Sequence, residues 1–258
     1  MRRCNIVSRC AKYKDVNVAG RYSTRFAENE ADIESAQALR FKTFRGGGEG
    51  LDTDAFDQIC KHILVEETDS GHLVCTFRLL PLANGSEIEK SYSAQFYELS
   101  SLHDIEGMIV EMGRFCIDPD YKDPDILRVA WSAMTRYVDE NDVELLFGCS
   151  SFSGTDSEEY IDAFALLKER YLAPKRRLPK IKAPKVFRFA AKLKLKKPNL
   201  KLAQRRMPPL LRTYLVMGGW VSDHAVVDND MNTLHVFTGL EIKGIPANRK
   251  RLLRATVG

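Results

Sequence analysis

The chain has 258 residues, 39 Lys+Arg against 35 Asp+Glu and a formal net charge of +4. At 44% hydrophobic and 29% charged it has a globular composition, which excludes disordered and collagen-like chains, and its length suits one large domain or two small ones. The small net charge conceals an asymmetry: between Tyr171 and Ser222 there are 15 Lys/Arg and no Asp or Glu, so subtraction leaves 24 basic and 35 acidic residues elsewhere, a net of −11.

Residues 1–20 lack periodicity and read as a flexible tail. Their basic start, Met1-Arg2-Arg3-Cys4, is not followed by an apolar run, because Lys12, Lys14 and Asp15 intervene; a cleaved secretory signal is not expected. Nor does any stretch reach the roughly 18–20 apolar residues that cross a bilayer. Arg21–Ala27 is a short strand. Asn29, with Asp32 three residues on, caps a helix to about Phe44 that places Ile33, Ala36, Arg40 and Phe44 on one face. Gly46-Gly47-Gly48-Glu49-Gly50 stops it; following a helix rather than a strand, this run fails as a dinucleotide fingerprint and reads as a loop over a site or as a linker. Strands are expected at His62–Glu66 and His72–Leu80, joined by Thr68-Asp69-Ser70-Gly71, and at Met108–Ile117. Asp123-Pro124 starts a helix bearing Ile126, Ala130, Ala133, Met134 and Tyr137. Val143–Cys149 is a buried strand, and Thr155 with Glu158 predicts a capping box for a helix through Tyr171. After the basic segment, strands are expected near Thr213–Met217 and Thr233–Ile242. Strands interleaved with helices indicate an α/β or α+β fold around a central mixed sheet.

Charged residues inside strands are the best leads to chemistry, since burying them is costly unless something compensates. Arg78 lies in one strand; Glu111 and Arg114 lie in another, on opposite faces if it is regular. A bulge at Gly113 would bring both to one face and free a backbone N–H, a fitting device for proton transfer beside a polarised carbonyl. Arg40 and Phe44 are one helical turn apart, and Asp54 and Asp57 are three apart, so one turn aims both carboxylates the same way. Two carboxylates suit an ammonium ligand, and arginines suit a carboxylate. The six cysteines (4, 10, 60, 75, 116 and 149) are scattered without C-x-x-C spacing, which favours a reducing cytoplasm, and Cys60-Lys61-His62 is too small a set for zinc, so no metal is expected. Gly148-Cys149-Ser150-Ser151-Phe152 lacks the second glycine of a nucleophile elbow.

Arg40-x3-Phe44, Asp54-x2-Asp57, Arg78-Leu79-Leu80-Pro81 and Glu111-x2-Arg114, in this order, resemble the acyl-homoserine-lactone synthases over residues 21–150. Three further stretches (114–121, 146–156 and 171–174) and the tail Tyr214–Asp228 resemble the bacterial L-ornithine Nα-acyltransferases that begin ornithine-lipid synthesis, over residues 21–258. The resemblance implies a GCN5-related N-acetyltransferase fold, with a mostly antiparallel mixed sheet flanked by helices. It divides the chain into an acyltransferase core (21–172), a basic amphipathic insertion (173–209) and C-terminal strands completing the fold (210–258). It also implies transfer of a 3-hydroxyacyl group from acyl carrier protein to the α-amine of L-ornithine, giving lyso-ornithine lipid. The donor's phosphopantetheine thioester is then a substrate, and no separate cofactor is needed. The superfamily's glycine-rich acyl-CoA loop is replaced by Asp118–Asp125, with four Asp, two Pro and no glycine, which opposes a pyrophosphate at the helix start.

On this reading Glu111, directly or through water, deprotonates the α-ammonium, and a backbone N–H near Gly113–Cys116 polarises the thioester carbonyl. Arg40, Arg78 or Arg114 would hold the ornithine carboxylate, and Asp54 or Asp57 its side-chain ammonium. Pro184–Pro198 is expected to form a basic amphipathic helix of about three turns, whose Arg188, Lys192, Lys194, Lys196 and Lys197 dock acidic carrier protein or an anionic membrane. That would place a cytoplasmic enzyme peripherally on the inner membrane. No nucleic-acid motif accompanies the charge. Two other readings remain: lactone synthesis with S-adenosylmethionine as amine donor, and a non-catalytic basic membrane- or RNA-binding module.

Overall fold

The computed structural model describes residues 20–255, so the tail expected over residues 1–20 lies, but for its last residue, outside the described part. In chain order come β1 (Tyr22–Phe26), α1 (Glu30–Phe44), β2 (Lys61–Glu67), β3 (Leu73–Leu82), β4 (Tyr97–Glu98), β5 (Ile109–Ile117), α2 (Pro124–Glu140), β6 (Leu145–Ser153) and α3 (Ile161–Arg170). The basic segment holds β7 (Lys180–Ile181), β8 (Val186–Phe187), α4 (Phe189–Lys192) and α5 (Leu200–Arg206). The chain then forms α6 (Pro209–Val216), β9 (Trp220–Val221), β10 (Ala225–Asp228), β11 (Thr233–Glu241) and α7 (Ala247–Ala255).

Nine strands make one sheet in the order β1-β2-β3-β5-β6-β11-β10-β8, with β9 also on β11. Neighbours run antiparallel except β5 and β6. Alternation along each strand sorts side chains between two faces. Val110, Met112 and Leu146 pack under α2 and α6 against Met134, Tyr137 and Tyr214. Ile109, Leu145, Phe147 and Phe237 face the other way and are covered by Ile88, Tyr97 and Leu102 of the segment between β3 and β5. The mixed, mostly antiparallel sheet flanked by helices is the fold expected from the sequence.

Local chemistry sets the helix ends. Asn29 accepts from the Asp32 N–H at 3.0 Å, and Asp123 accepts from the Asp125 N–H at 2.9 Å with Pro124 in the first turn. Three expectations need correction. Residues 213–216 are helical, within α6, and Met217 is its C-cap, because Pro209 occupies the first turn and Gly218, at φ +95°, ends it; these two signals outweigh the strand-like Thr-Tyr-Leu-Val. The cap before α3 is Asp156, accepting from Glu158 N–H at 2.9 Å ahead of a single 3-10 turn, so the Thr155–Glu158 box does not form. The three-turn basic helix is also absent: Val186 and Phe187 are strand, paired with Val226 and Ala225, and only Phe189–Lys192 are helical. The reason is tertiary. Phe187 and Phe189 are drawn into the core around Phe164, at ring separations of 5.4 and 5.2 Å, and β8 extends the sheet's edge.

Candidate active site

Strands β5 and β6 each have nine residues, yet they pair only where Ile109, Val110 and Glu111 meet Leu145, Leu146 and Phe147. Beyond Glu111 they diverge, and a cavity of about 420 Å³ occupies the gap. Gly148 marks the point of divergence: a Cβ there would lie 2.3 Å from the Met112 carbonyl oxygen, so only glycine permits this approach. Through the gap the cavity joins two unlike surfaces. On the α6 side it is walled by Met112, Phe115, Leu210, Leu211 and Tyr214; on the other it meets Glu111, Arg78, Tyr92, Cys149, Asp228 and His235.

The bulge expected in β5 is present. Arg78 pairs with Gly113 and Thr76 with Cys116, so Phe77 alone opposes Arg114 and Phe115. Arg114 absorbs the extra residue at φ +53°, one position beyond the glycine expected to do so. Its guanidinium consequently lies on the side of Glu111, 5.1 Å above the Tyr92 ring. Glu111 is 4% exposed. Its Oε1 accepts from the Ser93 N–H (2.7 Å) and hydroxyl (2.5 Å), and its Oε2 from the Tyr92 N–H (2.8 Å). Two lone pairs of Oε1 are thus used and one of Oε2 remains. Burial raises the Glu111 carboxyl above its ordinary 4.5, against the lowering pull of these hydrogen bonds and of Arg78. A carboxylate so placed is oriented, desolvated and more basic than one in water.

The remaining charges form one buried network. Arg40, 1% exposed, binds Asp57 through Nη1 (2.6 Å) and Nη2 (3.0 Å), and Asp52 through its carboxylate and its backbone oxygen. Arg78 binds Asp54 through two hydrogen bonds of 2.6 Å and Asp57 through one of 2.6 Å. Arg114 lies 3.1 Å from Asp52 and 3.0 Å from Asp54. Asp54 and Asp57 thus converge as expected, but on Arg78 rather than on open space. Burial pushes the Asp57 carboxyl up, and Arg40 with Arg78 more than reverses this, holding it well below 3.8; Asp54 is likewise lowered. Arg40, Asp54 and Asp57 do not line the cavity, whereas Phe44, Arg78, Gly113 and Arg114 do. Arg40 and Asp57, expected at the substrate from charge matching, satisfy each other's charge within this network. Cys116 is buried with its thiol raised to about 12 by burial, and it too lies off the cavity wall.

Asp52, Tyr92, Ser93, Asp228 and His235 were not legible as site residues. Each is an ordinary polar residue in sequence, brought in by the 83–105 segment, the turn after α1, or the far strands. Residues 45–50 do not reach the cavity; Gly46, Gly47 and Gly48 have positive φ and turn the chain out of α1. At α2 the N-terminal N–H groups meet Asp123, while Asp118 is tied to Lys42 at 2.7 Å, leaving acids where a pyrophosphate would sit. Of the residues expected to dock a partner, Arg188, Lys194 and Lys197 are exposed and make no ion pair among the described residues; Lys196 lies 3.5 Å from Asp162, and Lys192 5.4 Å from the Phe187 ring centre. Among the described residues no group of three His, Cys, Asp or Glu is arranged to hold a metal.

A mostly antiparallel sheet splayed at its one parallel pair, with helices on its flanks, is the GCN5-related N-acetyltransferase fold, and the relatives below make the chain an N-acyltransferase. Residues 39–132 match the acetyltransferase (GNAT) domain family. The chain is 31% identical over 230 residues to the L-ornithine N(alpha)-acyltransferase of Rhodobacter capsulatus, covering 83% of this chain and 88% of that one. It is 30% identical over 249 residues to that of Brucella abortus, covering 88% and 86%. It belongs to the L-ornithine N(alpha)-acyltransferase family. Among solved structures, the N-acyl amino acid synthase FeeM from uncultured soil microbes superposes with a TM-score of 0.50 at 10% identity, over 86% of this chain and 93% of FeeM, a likeness of fold.

Proposed function

We propose that this enzyme transfers a 3-hydroxyacyl group from acyl carrier protein to the α-amine of L-ornithine, giving lyso-ornithine lipid. The observation that carries the reading is the cavity's two-sided character. An apolar wall beside α6 suits an acyl chain, the gap between β5 and β6 suits its thioester, and the polar wall with Glu111 suits a charged amine. Glu111, through the free lone pair of Oε2 or a water on it, takes the proton of the α-ammonium. The amine attacks the thioester carbonyl, the oxyanion is met by backbone N–H near Gly113–Cys116, and as the C–S bond breaks the pantetheine sulfur leaves as the thiol with the proton that the attacking nitrogen sheds. Arg78 and Arg114 direct their cavity-facing edges at the substrate carboxylate; Arg40, Asp52, Asp54 and Asp57 hold them there.

The acidic start of α2 supports a carrier-linked donor, whose single phosphate needs no pyrophosphate cradle and which calls for no other cofactor. The basic surface from α4 to α5 is the dock for the acidic carrier, and it leads directly into α6, which walls the cavity. Leu195, 93% exposed between Lys194, Lys196 and Lys197, fits peripheral contact with the anionic face of the inner membrane. No helix among the described residues is long and apolar enough to cross a membrane. The test is incubation with 3-hydroxyacyl carrier protein and ornithine, lysine, glutamine or S-adenosylmethionine. Carrier thiol should be released fastest with ornithine. Fastest release with S-adenosylmethionine would favour lactone synthesis, and no transfer to any amine would overturn both.

A further inference from the structure

Asp54 and Asp57 are saturated by guanidinium groups, which leaves the side-chain ammonium of a diamino acid without its expected partner. Two carboxylates line the cavity, Glu111 and Asp228. Glu111 is held by Tyr92 and Ser93. Asp228, 9% exposed at the end of β10, accepts through Oδ1 from the N–H groups of Asp230 and Met231, each at 3.0 Å. Among the described residues its Oδ2 has no hydrogen bond and no Lys or Arg pairs with it.

Sheet register places His235 beside it. Asp228 opposes Thr233, Val226 opposes His235, and Ser151 opposes His235 across β6, so all five side chains project from one face. His235 lines the cavity, is 2% exposed, and its Nε2 is buried without a partner. Tyr97 fixes the tautomer. Its hydroxyl has one proton, donated to the His235 carbonyl oxygen at 2.8 Å, so the His235 Nδ1–H donates back to that hydroxyl at 3.1 Å. Nε2 is therefore the lone-pair nitrogen, and burial, which lowers this imidazole to about 4, keeps it neutral. A spare carboxylate oxygen and an orphaned lone pair on one wall are two acceptors awaiting a cationic donor.

We infer that Asp228 and His235 form an ammonium subsite that binds the side-chain amine of ornithine and makes the enzyme select a diamino acid. Glu111 opposes Phe147 on one side of β6, and His235 with β10 lies on the other side, so a substrate spanning the cavity across β6 at Cys149 reaches Glu111 with its α-amine and Asp228 with its far amine. The inference rests on the reading of the chain as an ornithine acyltransferase.

The experiment compares L-ornithine, L-2-aminopentanoate (the same skeleton without the far amine) and L-2,4-diaminobutanoate with wild type, Asp228→Asn and Asp228→Glu. Asparagine keeps Oδ1 for the turn and removes the charge. Wild type should prefer ornithine over 2-aminopentanoate by about 10–100-fold in kcat/KM, and Asp228→Asn should erase most of that ratio through the KM for ornithine. Asp228→Glu, one methylene longer, should move preference toward 2,4-diaminobutanoate. An unchanged ornithine ratio in Asp228→Asn overturns the subsite while leaving ornithine acylation intact. Loss of all three substrates in both variants also overturns it, assigning Asp228 to the turn alone. A wild type that acylates no amine removes the underlying reading and the subsite with it.

Discussion

The Ser93 hydroxyl donates to Glu111 Oε1 at 2.5 Å, and the Ser93 N–H donates to the same oxygen at 2.7 Å. One residue of a loop 18 positions upstream thus fixes the carboxylate at the fork of the sheet. Ser93 also lies 3.4 Å from the Cys149 Sγ on the opposite strand, so it ties the two sides of the fork together. A buried carboxylate filled at one oxygen and left with a single free lone pair on the other is set for one direction of proton transfer.

Replacing Glu111 by Gln keeps the shape and most of the acceptor geometry but removes the base. We expect kcat to fall by about 10²–10⁴-fold, the usual range for losing a general base, with a much smaller change in KM for ornithine. Near-normal turnover with carrier-linked donor would refute the assignment.

The same residue sets an acid limb. Burial raises the Glu111 carboxyl, so its proton is retained to higher pH than in an exposed glutamate, and the active, ionised form is lost as pH falls through a value above 4.5. A pH profile of kcat/KM should show that limb in wild type and lack it in the residual activity of Glu111→Gln.

The bracing network should matter to folding more than to chemistry. Asp57→Ala leaves Arg40 and Arg78 each short of a buried partner, and we expect a loss of about 3–5 kcal/mol in denaturant melts. Acid should mimic it. Asp57 is depressed in the folded state, so its contribution is complete above the ordinary 3.8 and drains away as pH drops below that value through the folded one. Acid unfolding of wild type should therefore steepen below about pH 4, and Asp57→Ala should lack that component.

Gly148→Ala tests the fork. The added methyl meets the Met112 carbonyl, which must move and widen the strands where the thioester is proposed to lie. The expected outcome is a modest loss of stability, about 1–3 kcal/mol, together with a large rise in KM for the acyl donor and little change for the amine. Unaltered donor kinetics would place the thioester elsewhere.

Charge reversal at Lys192, Lys194, Lys196 and Lys197 tests the dock. These side chains are exposed, and exposed pairs contribute at most about 1 kcal/mol, so the melting temperature should hold. The KM for carrier-linked donor should rise about tenfold at low salt and less at high salt, and sedimentation with anionic vesicles should fall.

Much of the framework was readable from local chemistry. Asn29, Asp123 and Pro124 announced their helices, alternation announced β2, β3 and β5, and Glu111, Arg78 and Arg114 stood out as charges inside strands. Even the bulge in β5 was foreshadowed by Gly113, although Arg114 takes the left-handed conformation. Where the reading failed, local signals were overruled by long-range ones. Val186 and Phe187 sit in a basic stretch with helical spacing, yet pairing with β10 and burial against Phe164 make them the sheet's edge.

By itself the sequence determined which residues carry charge into the core, and so which could do chemistry. What each charge does was decided only by tertiary structure. Arg40, Asp54 and Asp57 look like substrate ligands until their partners, 12 to 60 residues away, are seen to neutralise them. Asp228 and His235 look like neither until β10 and β11 fold beside β6 and leave two acceptors on a cavity wall. The reason is physical: a buried charge is defined by the groups that satisfy it, and those come from elsewhere in the chain.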